Sequence, residues 1–167
     1  MIISQIVAVS LNNVIGVNRG LPWHMPSDLK YFREKTLGHH IVMGRRNYEA
    51  EGKALPDRVN IVLTRNPDYQ IPDGMVVHKL EDAVEIARKA GESELFIVGG
   101  EEIYRLAMPF TDRIYLTRIH VEVEGDTFYP GLDMKIWKEV SRISNKKDDR
   151  NPFDYDFLVY ERLRKSG

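Results

Sequence analysis

The sequence predicts an α/β fold. It reads as a single domain on a mostly parallel central β-sheet of about eight strands, with an antiparallel C-terminal strand and about four flanking helices. Three observations predict it. Short β-branched runs recur and are apolar on successive residues, as strands covered on both faces are. Segments with helical spacing fall between them, and alternation of the two is most economically met by a parallel sheet with helices on both faces. The last two runs mix polar and apolar positions, as an antiparallel hairpin at a sheet edge does.

In chain order, "IISQIVAV" (2–9) is the first strand, and a helix over 27–37 starts from Ser27, a good N-cap. "HIVMG" (40–44) is the next strand, followed by a short helix after Asn47. "VNIVLT" (59–64) and "GMVVH" (74–78) are strands. Over 80–90, Leu80, Val84 and Ala87 share a helical face, with Gly91 as C-cap. "ELFIVGG" (94–100) leads into a helix over 101–108 that groups Ile103, Leu106 and Ala107 before Pro109 ends it. "RIYLTRIHVEV" (113–123), "IWKEVSRIS" (136–144) and "YDFLVYER" (155–162) complete the sheet, and "NKKDDRNP" (145–152) is a charged loop. Repeats, low-complexity tracts and interdomain linkers are absent from the sequence, so residues 1–167 read as one domain.

Composition narrows the function. With a net charge of −1 and a pI of about 6.5, no global basic field attracts nucleic acid or an anionic membrane, so a polyanion must be gripped locally. The chain has no cysteine, which excludes disulfides, thiolate nucleophiles and cysteine–zinc sites and fits a reducing compartment. Apolar runs fall far short of the roughly 20 residues of a membrane helix, and "MIISQIVAVS" lacks the basic start and cleavage site of a secretory signal. The cytoplasm is the expected location. His24, His39, His40, His78 and His120 have no metal-ligand spacing, and the H-E-x-x-H and G-x-S-x-G motifs do not occur, so no metal is expected.

Parallel sheets bind ligands beyond the carboxyl ends of their strands, which directs attention to three junctions. In "IVMGRRNYEA" (41–50), Arg45, Arg46 and Asn47 follow a strand at the start of a helix, suited to phosphate but equally to a solvated arginine pair. In "NIVLTRNPDY" (60–69), Thr64 and Arg65 suit a terminal phosphate or an ordinary turn. In "FIVGGEEIY" (96–104), Gly99–Gly100 lets backbone approach a ligand, while Glu101 and Glu102 would repel a phosphate. Three such junctions on one sheet point to an extended ligand with several phosphates, such as a dinucleotide.

The stretch "GVNRGLPWHMPSDLKYF" (16–32) sets an acid, Asp28, beside Leu29 and one helical turn from Phe32, with Leu21 and Trp23 just before it. Acids are common in first turns because the helix dipole favours them. The apolar crowding here predicts a partly desolvated carboxylate with a raised pKa.

These segments carry a resemblance. "VIGVNRGLPWHMPSDLKYF", "VMGRRNYE", "ALPDRVNIVLTR", "FIVGGEEIY", "YLTRI" and "EGDTFYP" occur in the order, and over essentially the whole length, of bacterial dihydrofolate reductases, which the chain resembles. The resemblance implies reduction of dihydrofolate to tetrahydrofolate by NADPH, in the service of one-carbon metabolism. Antifolates such as trimethoprim or methotrexate would be inhibitors, and a monomer is the family default.

Residue by residue, the resemblance makes Asp28 the acid that accepts hydrogen bonds from the pterin 2-amino group and N3–H. Thr117 would support it, Trp23 would frame a water network, and a water admitted near Leu21 would carry the proton to N5. Ile6, Val7, Ala8, Leu29, Phe32 and Leu55 would line the substrate pocket, and Arg58 would pair with the glutamate α-carboxylate. Arg45, Thr64 and Arg65 match the 2′-phosphate site that selects NADPH. Arg46, Asn47, Gly99, Gly100, Glu102 and Ile103 match the pyrophosphate and nicotinamide-ribose region, where the family's Gly–Gly bond is cis. Ala8, Gly44, Leu63, Val98, Glu101 and Tyr104 complete the expected cofactor contacts. Ile15, Gly16 and the loop to His24 resemble a mobile flap, held through Asp126 of "EGDTFYP".

Three positions depart from the family pattern. Glu51 stands where an apolar residue meets the benzoyl part of folate, Asn47 replaces a Thr or Ser, and Glu101 replaces a small residue. The rivals are a reductase of riboflavin biosynthesis, which lacks "LPWHMPSDL", and a non-catalytic nucleotide-binding module, against which Asp28, Trp23 and Thr117 argue.

Overall fold

The structure, a computed structural model, describes residues 1–16 and 22–164. Among these, the elements run β1 (Ile2–Val9), β2 (Val14–Gly16), α1 (Pro26–Thr36), β3 (His40–Gly44), α2 (Arg45–Glu51), β4 (Val59–Leu63), β5 (Met75–Val77), α3 (Leu80–Lys89) and β6 (Glu94–Gly99). There follow α4 (Glu101–Ala107), a 3-10 turn at Met108–Phe110, β7 (Arg113–Ile119), β8 (Thr127–Phe128), β9 (Trp137–Asn145) and β10 (Tyr155–Arg162). Eight strands form one sheet in the order β5-β4-β3-β6-β1-β7-β10-β9, and β2 pairs with β8 outside it.

Every neighbouring pair from β5 to β7 is parallel, while β10 is antiparallel to both β7 and β9. β10 alone therefore runs against the rest of the sheet. The central strands are apolar on consecutive residues because both faces are covered. One cluster joins Val7, Val42, Ile61, Leu63 and Ile97 to Leu80, Ala83 and Ala87 of α3 and to Ile103, Tyr104 and Ala107 of α4. The opposite cluster joins Ile6, Ile41, Met43, Val62 and Phe96 to Tyr31 and Phe32 of α1 and Tyr48 of α2. Val9, Ile41, Val42, Ile61, Val62, Leu95 and Ile97 are wholly buried. Each such side chain contributes roughly 1.5–3 kcal/mol of transfer free energy.

Several expectations need correction. Ser27 does not cap α1: Met25 occupies the N-cap position without a side-chain bond. Instead Asn151, from the loop before β10, caps the helix from a distance. Its Oδ1 accepts from the Ser27 N–H (3.1 Å) and its Nδ2 donates to Ser27 Oγ (2.8 Å). The cap of α3 is Ala90, and Gly91 is the following residue at φ 76°. Gly91 N–H donates to Arg88 O and Glu92 N–H to Ala87 O, the paired bonds of a Schellman ending. Leu106 is half exposed at 50%, because the stripe of α4 that meets the sheet is Ile103, Tyr104 and Ala107. The strand expected over 113–123 stops at Ile119, where His120 N–H donates to Asp154 O and the chain leaves the sheet. β2 and β8, of three and two residues, are too short for any period to register in the sequence.

Candidate active site

Because β4, β3, β6, β1 and β7 are adjacent and parallel, their carboxyl ends lie along one edge of the sheet. The residues that follow them in sequence are therefore neighbours in space. At the β1–β7 end, Ala8 is in register with Thr117, and Thr117 with Phe157 of β10, so this row shares one face. α1 lies over that row. The Tyr31 ring stacks on Phe157 with centroids 4.0 Å apart and planes 9° from parallel. Asp28, one turn earlier, reaches the row itself, and the Thr117 hydroxyl donates to its carboxylate.

Asp28 is 8% exposed. Burial raises its pKa from 3.8 to about 6, against which the Thr117 hydrogen bond acts to lower it. Its charge is felt nearby: burial first, then Tyr115 and Asp28, push the Tyr31 phenol up to about 12. The enclosed Tyr104 hydroxyl is raised by burial and by Asp28, and donates to Ile6 O at 2.7 Å. Trp23 packs with Met25, Ile119, Tyr155, Ala8 and Phe157. Its buried Nε1 has no hydrogen-bond partner among the described residues. A carboxylate with one side-chain donor and an indole N–H without one form a polar corner in an otherwise apolar wall. Such a corner suits a flat heterocycle bearing N–H groups.

Of the other expected substrate residues, Ile6 and Ala8 face this side with Phe32, which is half-buried in the same layer. Val7 does not. Strand alternation turns its side chain into the opposite cluster, under α3 and α4. Leu29 is 46% exposed beside them. Leu55 is half-buried and fixed by Asn60, whose Oδ1 accepts from Leu55 N–H and whose Nδ2 donates to Leu55 O, both at 2.9 Å. Arg58 donates through Nε to Pro56 O (2.9 Å) and through Nη1 to Thr36 Oγ1 (3.2 Å). Thr36 in turn donates to Phe32 O, which ties Arg58 to α1. Burial and the neighbouring Arg33 charge lower the Arg58 pKa, so this guanidinium gains by meeting an anion.

The cofactor candidates line the other half of the edge. The Gly99–Gly100 bond is cis. Gly99 has φ 121°, and a Cβ there would sit 2.9 Å from Asn47 Nδ2 and 3.2 Å from the Tyr104 hydroxyl, so only glycine fits. A Cβ on Gly44 would sit 3.1 Å from Ile103. These glycines leave bare backbone at the mouths of β3 and β6, a cradle that fits a pyrophosphate. Asn47 Nδ2 donates to Val98 O (3.5 Å), so α2 is docked on the end of β6.

Arg45 donates to Glu49 Oε1 at 2.7 Å and lies over the Tyr69 ring. Arg46 is exposed. Arg65 donates to Glu102 Oε1 at 2.7 Å, and Thr64 Oγ1 accepts from Asn66 N–H. Glu101 Oε1 accepts from Arg105 Nη2 and from Phe128 N–H of β8, each at 3.3 Å. Leu63 and Ile15 are buried in the α3–α4 cluster. Gly16 O accepts from Asp126 N–H at 3.1 Å, linking β2 to the segment "EGDTFYP". Leu21 lies outside the described residues. Among the described residues no group of His, Cys, Asp and Glu could hold a metal ion, and no helix is long and apolar enough to cross a membrane.

Two further residues belong with the site. Tyr31 stands three positions after Asp28, a spacing that could have revealed it. His78 follows β5, and its Nδ1 lies 2.9 Å from Thr64 O, at the phosphate-suited end. The rule that singled out Thr64 and Arg65, the first residues beyond a parallel strand, applies to His78 equally.

A family model described as dihydrofolate reductase matches residues 2–162. The chain belongs to the dihydrofolate reductase family. A dihydrofolate reductase of Bacillus subtilis (strain 168) is 44% identical over 164 residues, covering 98% of this chain and 96% of that protein. One of Staphylococcus haemolyticus is 44% identical over 162 residues, covering 97% and 96%. A solved dihydrofolate reductase from Enterococcus faecalis, complexed with NADP(H) and RAB-propyl, matches with a TM-score of 0.92 at 38% identity, over 98% of this chain and 97% of that one. The dihydrofolate reductase relationship thus spans both halves of the edge, the acid corner and the glycine cradle.

Proposed function

We propose that the chain, acting as a single domain, reduces 7,8-dihydrofolate to 5,6,7,8-tetrahydrofolate with NADPH, the hydride going to C6 and a proton to N5. The observation that carries the reading is the buried Asp28–Thr117 pair, set beside the glycine cradle of β3 and β6 on one sheet edge. NADPH, when bound, supplies the hydride. The protein's own residues orient, neutralise and exclude water.

In this reading the Asp28 carboxylate accepts from the pterin 2-amino group and N3–H. Thr117 keeps the carboxylate aimed at them. An ionised acid in an apolar wall also favours positive charge on the ring, which assists protonation of N5 by a water. Asp28 itself stays ionised. Phe32 and Ile6 pack on the rings, and Trp23 donates to the water network through Nε1. Leu55 meets the benzoyl part, and Arg58 pairs with the glutamate α-carboxylate. On the cofactor side, Gly44, Asn47, Gly99, Gly100, Ile103 and Arg46 would hold the pyrophosphate. Arg45, Thr64 and Arg65 would hold the 2′-phosphate, and Ile15 and Gly16 would meet the nicotinamide.

The test is the loss of NADPH absorbance on adding dihydrofolate to the purified protein. Turnover with dihydrofolate is the expected result. Turnover only with a riboflavin precursor, or NADPH binding without turnover of either, overturns it.

A further inference from the structure

Both arginines assigned to the 2′-phosphate already hold a carboxylate of the protein, and the two pairs are built differently. Arg45 and Glu49 belong to one turn of α2, where the Tyr69 hydroxyl also donates to Glu49 Oε1. Arg65 and Glu102 come from separate elements. Arg65 follows β4, Glu102 sits in the first turn of α4 after β6, and β3 lies between β4 and β6. Their 2.7 Å contact therefore spans the carboxyl end of β3, at the Gly44–Arg45 junction where the phosphates of a dinucleotide would run. The two side chains are 92% and 71% exposed, so charge rather than packing holds them together. The adjacent acid does not share this position, since Glu101 is engaged by Arg105 and by the Phe128 N–H.

We propose that Glu102 is a cofactor-discriminating residue: its carboxylate occupies the Arg65 guanidinium until a 2′-phosphate replaces it. The inference rests on the assignment of Arg65 to that phosphate. A phosphate dianion brings more charge and more acceptor oxygens to the guanidinium than a carboxylate does, so it wins the exchange. A dinucleotide without the 2′-phosphate offers Arg65 nothing in return, and the ion pair persists beside it. Glu102 therefore weakens NADPH binding more than NADH binding, and salt erodes the difference because the pair is solvated.

The experiment measures dissociation constants of NADPH and NADH by protein fluorescence at low ionic strength. It uses the wild type, Glu102→Gln, Arg65→Gln and the double variant. Glu102→Gln is expected to tighten NADPH about twofold to fivefold more than it tightens NADH, the scale of an exposed ion pair. In the Arg65→Gln background, Glu102→Gln is expected to act equally on the two cofactors. Unchanged or weakened NADPH binding in Glu102→Gln, or equal tightening of both cofactors, overturns the proposal. If Arg65→Gln alone costs no preference for NADPH, the assignment of Arg65 falls and takes the proposal with it. A normal loss in Arg65→Gln beside an inert Glu102→Gln removes Glu102 alone.

Discussion

The Thr117 hydroxyl of β7 donates a hydrogen bond to the Asp28 carboxylate of α1, and it opposes the effect of burial on that acid's proton. Burial pushes the acid up to about 6, and the hydroxyl restrains it. The balance leaves Asp28 mostly ionised at neutral pH inside a wall of apolar side chains. A charge kept there is poorly solvated and is available to a ligand with matching N–H groups.

Asp28→Asn separates what the charge does for stability from what it does for turnover. The folded state raises the pKa above its ordinary 3.8, so it favours the protonated form. That contribution to stability is fully present below the unfolded value and is lost as pH rises through about 6. At neutral pH the charge costs roughly 1–3 kcal/mol. Asp28→Asn should therefore raise Tm at neutral pH, and the gain should vanish near the unfolded pKa of the acid. Dihydrofolate turnover should fall at least about 100-fold, as expected for loss of a charged ligand contact, while NADPH affinity stays within about twofold. Thermal unfolding at the two pH values and steady-state kinetics check both halves.

Thr117→Val keeps the shape and removes the donor. With the lowering contact gone, the Asp28 pKa should move above about 6. The acid limb of dihydrofolate affinity should shift to higher pH by the same amount, with NADPH affinity unchanged. Binding titrations across pH read the shift, and an unmoved limb would separate the hydroxyl from the acid.

Asn151→Ala tests how α1, and with it Asp28, is held. The variant loses both bonds to Ser27. The expected cost is about 1–2 kcal/mol, typical of a lost helix cap, measured as a lower urea midpoint with an unchanged slope.

How much of this was legible in the sequence follows from what each feature depends on. The parallel strands were legible because burial on both faces writes itself as consecutive apolar residues, as in "HIVMG" and "ELFIVGG". The acid was legible from its neighbours, Leu29 and Phe32, and from the family motifs around it. The Asn151 cap was not: its partner lies 124 residues away, and a local rule chose Ser27 instead. That the Val7 side chain lies in the cluster opposite Ile6 and Ala8 follows from strand alternation, which a list of consecutive residues does not take into account. The opposite fates of Glu101 and Glu102 depend on Phe128 and Arg65, each brought in by the tertiary fold.

Glu92 governs a different pH range. It lies at the opposite, amino-terminal ends of β3 and β6. Burial would raise it, but contacts from the His40 N–H, the Nδ1 atoms of His40 and His39, and the Glu94 N–H hold its pKa down to about 2. A depressed folded pKa gives stability that is present above the ordinary 4.5 and is lost as pH falls toward about 2. Glu92→Gln should cost roughly 1–3 kcal/mol at neutral pH, with the difference from wild type shrinking below that ordinary value. Urea unfolding at neutral and acid pH gives the two numbers.

The most direct measurement is a crystal structure of the ternary complex with folate and NADP+. The 2-amino group and N3–H are expected within hydrogen-bonding distance of the two Asp28 oxygens, with C6 facing the nicotinamide ring. An Asp28 carboxylate directed into solvent, with the pteridine bound elsewhere, would contradict it.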